Sequence, residues 1–255
     1  MLLVVDVGNT QTHFGTFAGT ELVEHWRFAT VRTSTADELG AALRSLLELR
    51  GLSFGDLEAS IVSSTVPQLE PEWVAMGRRY LGHPTLAVGP GVKTGMAIRY
   101  DNPREIGADR LVNSVAVKER FGGPAICVDF GTAVNFDVVS AAGEYLGGVL
   151  MPGVEISLDA LTERGAKLPK IDLAAPRQAI GKSTVEAIRA GVVFGYAAAV
   201  DGIIARVQAE LGAEAATIAT GGLAQHITPY CERIDEVDDL LTLTGLRLIH
   251  EQNAA

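Results

Sequence analysis

Cysteine is nearly missing: only Cys127 and Cys231 occur in 255 residues, too few for a disulfide scaffold. Cys127 sits in an apolar run and Cys231 stands alone, a usage that predicts a reducing compartment and hence a cytoplasmic protein. Positive charge is also short, with 21 Lys and Arg against 31 Asp and Glu for a formal net charge of −10. Such an excess repels nucleic-acid phosphate and anionic lipid, which argues against nucleic acid and membrane as partners. Any anionic ligand must be met by local positive groups. The opening MLLVVDVGNT reaches Asp6 without a basic stretch and does not read as a signal peptide. The longest apolar run, near Ala190 to Ala205, is broken by glycines and Asp201 and is expected to be too short to span a bilayer.

Several familiar motifs are absent too. No G-x-G-x-x-G follows a strand and no G-x-S-x-G exists. His13, His25, His83, His226 and His250 show no metal-ligand spacing. Gly181-Lys182-Ser183 resembles the end of a P-loop, but Pro176 stands where its first glycine belongs.

What the chain does have is an internal echo. LVVDVGNTQTHFGTF (3–17) aligns with ICVDFGTAVNFDVVS (126–140), so that Asp129 follows Asp6 by 123 positions, close to half the length. Each copy carries an apolar run, an Asp, one apolar residue, a Gly, then small hydroxyl or amide residues and a second strand-like segment. Asp and Gly are common turn formers, so one such hairpin alone would signify little; four features repeated in order point to two lobes of related topology. Between them, Thr35 to Gly51 reads as a helix with a capping box at Thr35 and Glu38, residues 59–67 as a buried strand followed by a turn, and 84–89 as another strand. A helix from Ala108 to Arg120 ends at the Gly122-Gly123-Pro124 breaker. The predicted organisation is an N-terminal lobe of residues 1–117, with the first phosphate loop and a substrate segment, and a C-terminal lobe of residues 118–255. The latter carries a strand–turn–helix about Pro152-Gly153, a long helix from Ser183 to Leu211 and a strand over 215–222.

Chemistry concentrates at the two turns. A glycine in each lets the backbone approach a phosphate, its neighbours present N–H and hydroxyl donors, and an Asp at the strand end can hold a cation beside that phosphate. A second concentration is KTGMAIRYDNPREIGADR (93–110), with four bases and three acids. There Gly107-Ala108-Asp109-Arg110 reads as a helix start suited to an anionic ligand, Arg110 as a partner for a carboxylate and Asp109 as a proton acceptor. A helix-start acid beside a surface ion pair is the plain alternative. Ala187, Gly191, Gly195 and Ala198 line one face of the long helix and suit close helix approach, within the chain or between chains.

The two Asp-Gly turns, with Thr220-Gly221-Gly222 as an adenosine-contacting pair, resemble the phosphate-binding hairpins of the sugar kinase, Hsp70 and actin superfamily. That likeness implies an α/β fold class of two duplicated ribonuclease-H-like (actin-like ATPase) lobes with a cleft between them. Asp6-Val-Gly-Asn-Thr10, Tyr100 followed by Asn102-Pro103, Gly107-Ala-Asp-Arg110, Asp129-Phe-Gly-Thr-Ala133, Gly147 to Gly153, Gly181-Lys-Ser-Thr184 and Thr220-Gly-Gly222 together are similar to the type III pantothenate kinases, along essentially the whole chain. The resemblance implies ATP-dependent phosphorylation of pantothenate at the start of coenzyme A biosynthesis, by a homodimer using ATP-Mg and potassium or ammonium ion. It implies an ATP phosphate loop of Asp6, Val7, Gly8, Asn9, Thr10, Gln11, Thr12 and His13, with Thr132 as a second phosphate contact. It further implies pantothenate contacts at Tyr100, Gly107, Ala108, Asp109, Arg110 and Thr184. Asp109 is then the general base, Asp129 the monovalent-cation ligand and Asp6 a Mg ligand. At an ordinary pKa of about 4, Asp109 would be ionised at pH 7. A kinase for another small hydroxy acid, or a nucleotide-binding regulatory protein of the same fold, is the alternative.

Overall fold

A computed structural model describes residues 1–165 and 168–254. It contains two five-stranded sheets. The first is built from β1 (Leu2–Val7), β2 (Gln11–Ala18), β3 (Glu21–Ala29), β4 (Ala59–Ser64) and β5 (Leu86–Ala87), in the order β3-β2-β1-β4-β5. The second uses β6 (Ala125–Phe130), β7 (Ala133–Val139), β8 (Tyr145–Pro152), β9 (Ala216–Thr220) and β10 (Glu236–Val237), in the order β10-β9-β6-β7-β8. Matching β1 with β6, β2 with β7 and so on makes the two sheets topologically the same. Each is an antiparallel three-strand meander with two parallel strands added beside its first strand. The echo in the sequence is therefore a duplicated ribonuclease-H-like fold.

The helices follow the same plan. α1 (Ala36–Glu48) and α2 (Leu69–Met76) belong to the first half, α3 (Ala108–Phe121) follows β5, and α4 (Val154–Arg164), α5 (Thr184–Leu211), α6 (Ala224–Ile227) and α7 (Leu241–Asn253) complete the chain. Thr35 and Glu38 form the expected reciprocal cap of α1, and Gly51 beyond it has φ of +73°, a conformation glycine adopts without steric cost. One core gathers Leu3, Val5, Val7 and Phe14 under Leu39, Leu43, Leu47 and Trp73. The other sets Ile126, Val128, Phe130 and Phe136 against Val154, Val193, Ala197, Val200 and Ile204.

Two compact units result. The first comprises Met1–Met96, Asp101–Ala116 and the C-terminal helix from Leu241; the second comprises Ala97–Tyr100 and Val117–Leu240. This departs from the expected 1–117 and 118–255 lobes at two segments. α7 joins the first unit because Leu243 is buried against Gly15, Gly245 lies on the Val112 carbonyl, and Thr242 donates to Asn113 Oδ1 at 2.7 Å. Residues 97–100 join the second because Tyr145 N donates to the Ala97 carbonyl at 2.9 Å and Arg99 N to the Tyr145 carbonyl at 2.8 Å.

α5 also differs from expectation. Its 28 residues make it long and apolar enough, by length and composition, to cross a bilayer, with 28% of its most apolar window buried, so shortness does not exclude a span. One face, Val193, Ala197, Val200 and Ile204, enters the core. The opposite face, Ala187, Gly191, Gly195, Ala198 and Gly202, is exposed, and a side chain at any of its three glycines would meet nothing within 4 Å among the described residues.

Candidate active site

In the first unit the loop Gly8-Asn9-Thr10 joins β1 to β2. Gly8 N donates to the Gln11 carbonyl at 3.0 Å, and Thr30 N to the Thr10 carbonyl at 2.9 Å. A Cβ on Gly8 would stand 2.9 Å from the Gln11 carbonyl, so the turn needs a residue without one. Asn9 and Thr10 are exposed at its tip. Asp6, at the end of β1, accepts a hydrogen bond from Ser63 Oγ at 3.1 Å on the neighbouring parallel strand.

Asp109 lies in the first turn of α3. Its carboxylate folds back onto Gly107, where a Cβ would collide with Oδ1, and accepts from Arg110 N at 2.9 Å. Asp6 and Asp109 are neighbours. Burial first, and Asp109 second, push the Asp6 carboxyl up to about 7, against the pull of Ser63. Burial also raises Asp109 above the ordinary carboxylate range, opposed by the Arg110 backbone N–H and guanidinium. The expected ordinary pKa of Asp109 is thus corrected: with water removed from both carboxyls, ionising either one costs more. Arg110 itself is 7% exposed.

The eight-residue first loop is not uniform. Gln11, Thr12 and His13 already belong to β2. Thr12 is buried, with its hydroxyl 2.9 Å from that of Thr30, and Val7 lies in the core. His13 sits opposite Asp6 in the register, with Nε2 3.2 Å from His25 Nδ1. Burial, then Arg27, then His25 lower its pKa to about 3, so His13 is neutral and brings no positive charge to a phosphate. Two groups near the loop have no motif to announce them. Ser63 meets Asp6, and Arg32 donates to Asn9 Oδ1 at 3.2 Å; both are placed by strand register and loop path.

In the second unit Asp129 lies one residue before the end of β6, and Gly131 N donates to the Ala133 carbonyl at 3.0 Å to close a shorter turn that exposes Thr132. Gly221, with φ of +95°, fits against it: a Cβ there would stand 2.5 Å from Asp129 Oδ1 and 2.7 Å from the Phe130 backbone. Gly153 lies on the carbonyls of Thr132 and Gly131. Beyond Gly222, a cavity of about 470 Å³ is lined by Gln225, Thr228, Pro229, Val237, Asp238 and Leu240, among others. Tyr100 is half-buried beside Gly147, and Thr184 is exposed at the start of α5 behind its cap Ser183. The structure thus brings Asp6 together with Asp109, and Asp129 with Gly221.

Among the described residues no three His, Cys, Asp or Glu side chains are placed to hold a metal. A closed protein cage is therefore not what this site offers. A hard cation that takes one or two carboxylates, keeps its waters and is completed by phosphate oxygens suits Asp6, a half-buried carboxylate beside a second one.

A family model described as type III pantothenate kinase matches residues 2–206. The type III pantothenate kinase of Moorella thermoacetica is 53% identical over 253 residues, spanning 99% of this chain and 100% of that one. Among solved structures, a conserved Baf family protein from Campylobacter jejuni matches at 17% identity and a TM-score of 0.63, covering 99% of this chain and 98% of its own. A ROK hexokinase from Thermus thermophilus matches at 15% identity and 0.51, covering 100% and 99%. At such identities these two structures speak to the fold alone.

Proposed function

We infer the chemistry from one premise: this chain belongs to the type III pantothenate kinase family. It transfers the γ-phosphoryl group of ATP to the primary hydroxyl of pantothenate, the first step of coenzyme A biosynthesis, with a divalent metal accompanying the nucleotide. The observation that best supports a site for this reaction is the pairing of Asp6 with Asp109, two desolvated carboxyls at the end of β1 and the start of α3.

Asp109 is the general base. As the pantothenate oxygen attacks the γ-phosphorus, the Asp109 carboxylate takes its proton; the bond from phosphorus to the bridging oxygen breaks and ADP leaves with that electron pair. Gly8, Asn9 and Thr10 cradle the phosphates, with Val7, Gln11, Thr12 and His13 holding the loop's shape, and Thr132 makes a second contact. Tyr100, Gly107, Ala108, Arg110 and Thr184 hold pantothenate, with Arg110 facing its carboxylate. Asp6 would hold the divalent cation, whose charge offsets that of the phosphates. Asp129 would hold potassium or ammonium ion beside the same nucleotide. The cavity beyond Gly222 suits the nucleobase end of ATP. The protein works as a homodimer through the exposed small-residue face of α5, in the cytoplasm, without nucleic acid or membrane as partner. Two free cysteines and a charge of −10 support that setting.

The test is direct. Purified protein is incubated with ATP, magnesium and potassium chloride and offered pantothenate among other hydroxy acids and sugars; phosphopantothenate is the mass expected to dominate. Phosphorylation of a different acceptor, or none, would refute the assignment.

A further inference from the structure

We propose that Tyr145 and Asp137 are positioning residues for the ring of Tyr100, and that Gly147 provides the space that ring occupies. This rests on the reading that Tyr100 contacts pantothenate. The backbone of residues 97–100 is stitched to the start of β8 by the two hydrogen bonds to Tyr145, and Arg99 grips Glu144 through Nε at 2.9 Å and Nη2 at 2.7 Å. Those contacts fix the main chain but leave the Tyr100 side chain free to choose among rotamers. Two other contacts make the choice. The rings of Tyr100 and Tyr145 lie with centroids 6.1 Å apart at 45°. Gly147, with φ of +110°, leaves an opening on the other contact: a Cβ there would stand 3.0 Å from Tyr100 Cε2 and 3.1 Å from Cδ2.

Tyr145 can act as a stop because it is itself held. It is 0% exposed, as is Asp137 on β7, and its hydroxyl donates to Asp137 Oδ1 at 2.9 Å. Swinging the Tyr145 ring would leave a buried carboxyl without that donor, which is costly away from water. The pair is thus a strut with one end in the core of the second unit and the other against a half-exposed ring. Tyr145 touches no substrate in this scheme; it acts through Tyr100.

A double-mutant cycle tests the idea, because two residues acting through one contact do not add. Tyr145→Phe keeps the ring and deletes the tether; it is expected to raise KM for pantothenate about 3- to 10-fold with KM for ATP within about 2-fold. In a Tyr100→Ala background the same change is expected to have no further effect on pantothenate KM. Gly147→Ala both crowds Tyr100 from the other contact and strains a backbone at φ of +110°, so it is read against the same change in the Tyr100→Ala background, where a rise in pantothenate KM due to crowding is expected to vanish; it serves if Tyr145→Phe folds poorly by thermal melt. Equal rises in both KM values, or the same fold-change with Tyr100 removed, would overturn the proposal and leave Tyr145 a core residue. Should Tyr100→Ala alone leave pantothenate KM unchanged, it is the Tyr100 contact itself, not the strut, that has failed.

Discussion

In the proposed mechanism Asp109 takes the proton, and its carboxyl is oriented by Gly107 behind it and the Arg110 N–H in front. Asp109→Asn keeps the size and most of the hydrogen bonding but not the basicity, so substrate binding should persist while kcat falls about 100- to 10,000-fold. Full kcat in that variant would remove Asp109 from the role. Asp6 makes a different prediction. Its folded pKa of about 7 lies above its ordinary 3.8, so between those values the folded protein holds a proton that the unfolded chain has released. The ligand-free protein therefore loses stability as pH rises through that window. Asp6→Asn removes the buried charge, and thermal melts from about pH 5 to about pH 8 should show the variant gaining on the parent, by roughly 2 kcal/mol at the upper end. A constant difference across that range would mean that Asp6 is not desolvated as described. Asp129→Ala should blunt activation by potassium while leaving the protein folded; an unaltered potassium titration would place the ion elsewhere.

At the scale of elements, the phosphate turns depend on neighbours that the strands bring to them. Gly153 at the junction of β8 and α4 lies on the Thr132 and Gly131 carbonyls. The same junction is tied down by Tyr196 of α5, whose hydroxyl lies 2.6 Å from Ser157 Oγ and 3.0 Å from each of the Pro152 and Gly153 carbonyls. A methyl group at residue 153 must push the Thr132 turn aside. Gly153→Ala should raise KM for ATP by more than KM for pantothenate and lower stability by about 1 to 3 kcal/mol, measured by kinetics for both substrates and by urea unfolding. The hairpins, the capped α1 and the full length of α5 were legible from local signals: turn chemistry, a capping box and continuous helical patterning. β5 falls within the strand read over 84–89, but the two-residue β10 and the meeting of Ser63 with Asp6 carry no local signature, because pairing across the sheet creates them.

For the whole molecule, α5 raises the question of assembly. Its core-facing stripe and its exposed row of small residues use opposite sides of one helix, and a Cβ at Gly195 would meet nothing within 4 Å among the described residues. Gly195→Arg should therefore preserve the fold, as judged by circular dichroism, and shift sedimentation from dimer to monomer. If the parent already sediments as a monomer at micromolar concentration, that face is not a subunit contact.

The duplicated topology, the two Asp-Gly turns and the helix start at Gly107 to Arg110 were fixed by residue order, since each depends on neighbours a few positions apart. Three matters waited on tertiary structure. α7 and residues 97–100 cross from one half of the chain to the unit of the other, because Gly15 and Tyr145 receive them. His13 is neutral and paired with His25. Asp109, 103 positions along the chain from Asp6, adds to the cost of ionising Asp6, while burial is what raises Asp109 itself. Burial and through-space charge depend on distances that chain order does not set, and these decide which of the eligible side chains are in a state to do chemistry.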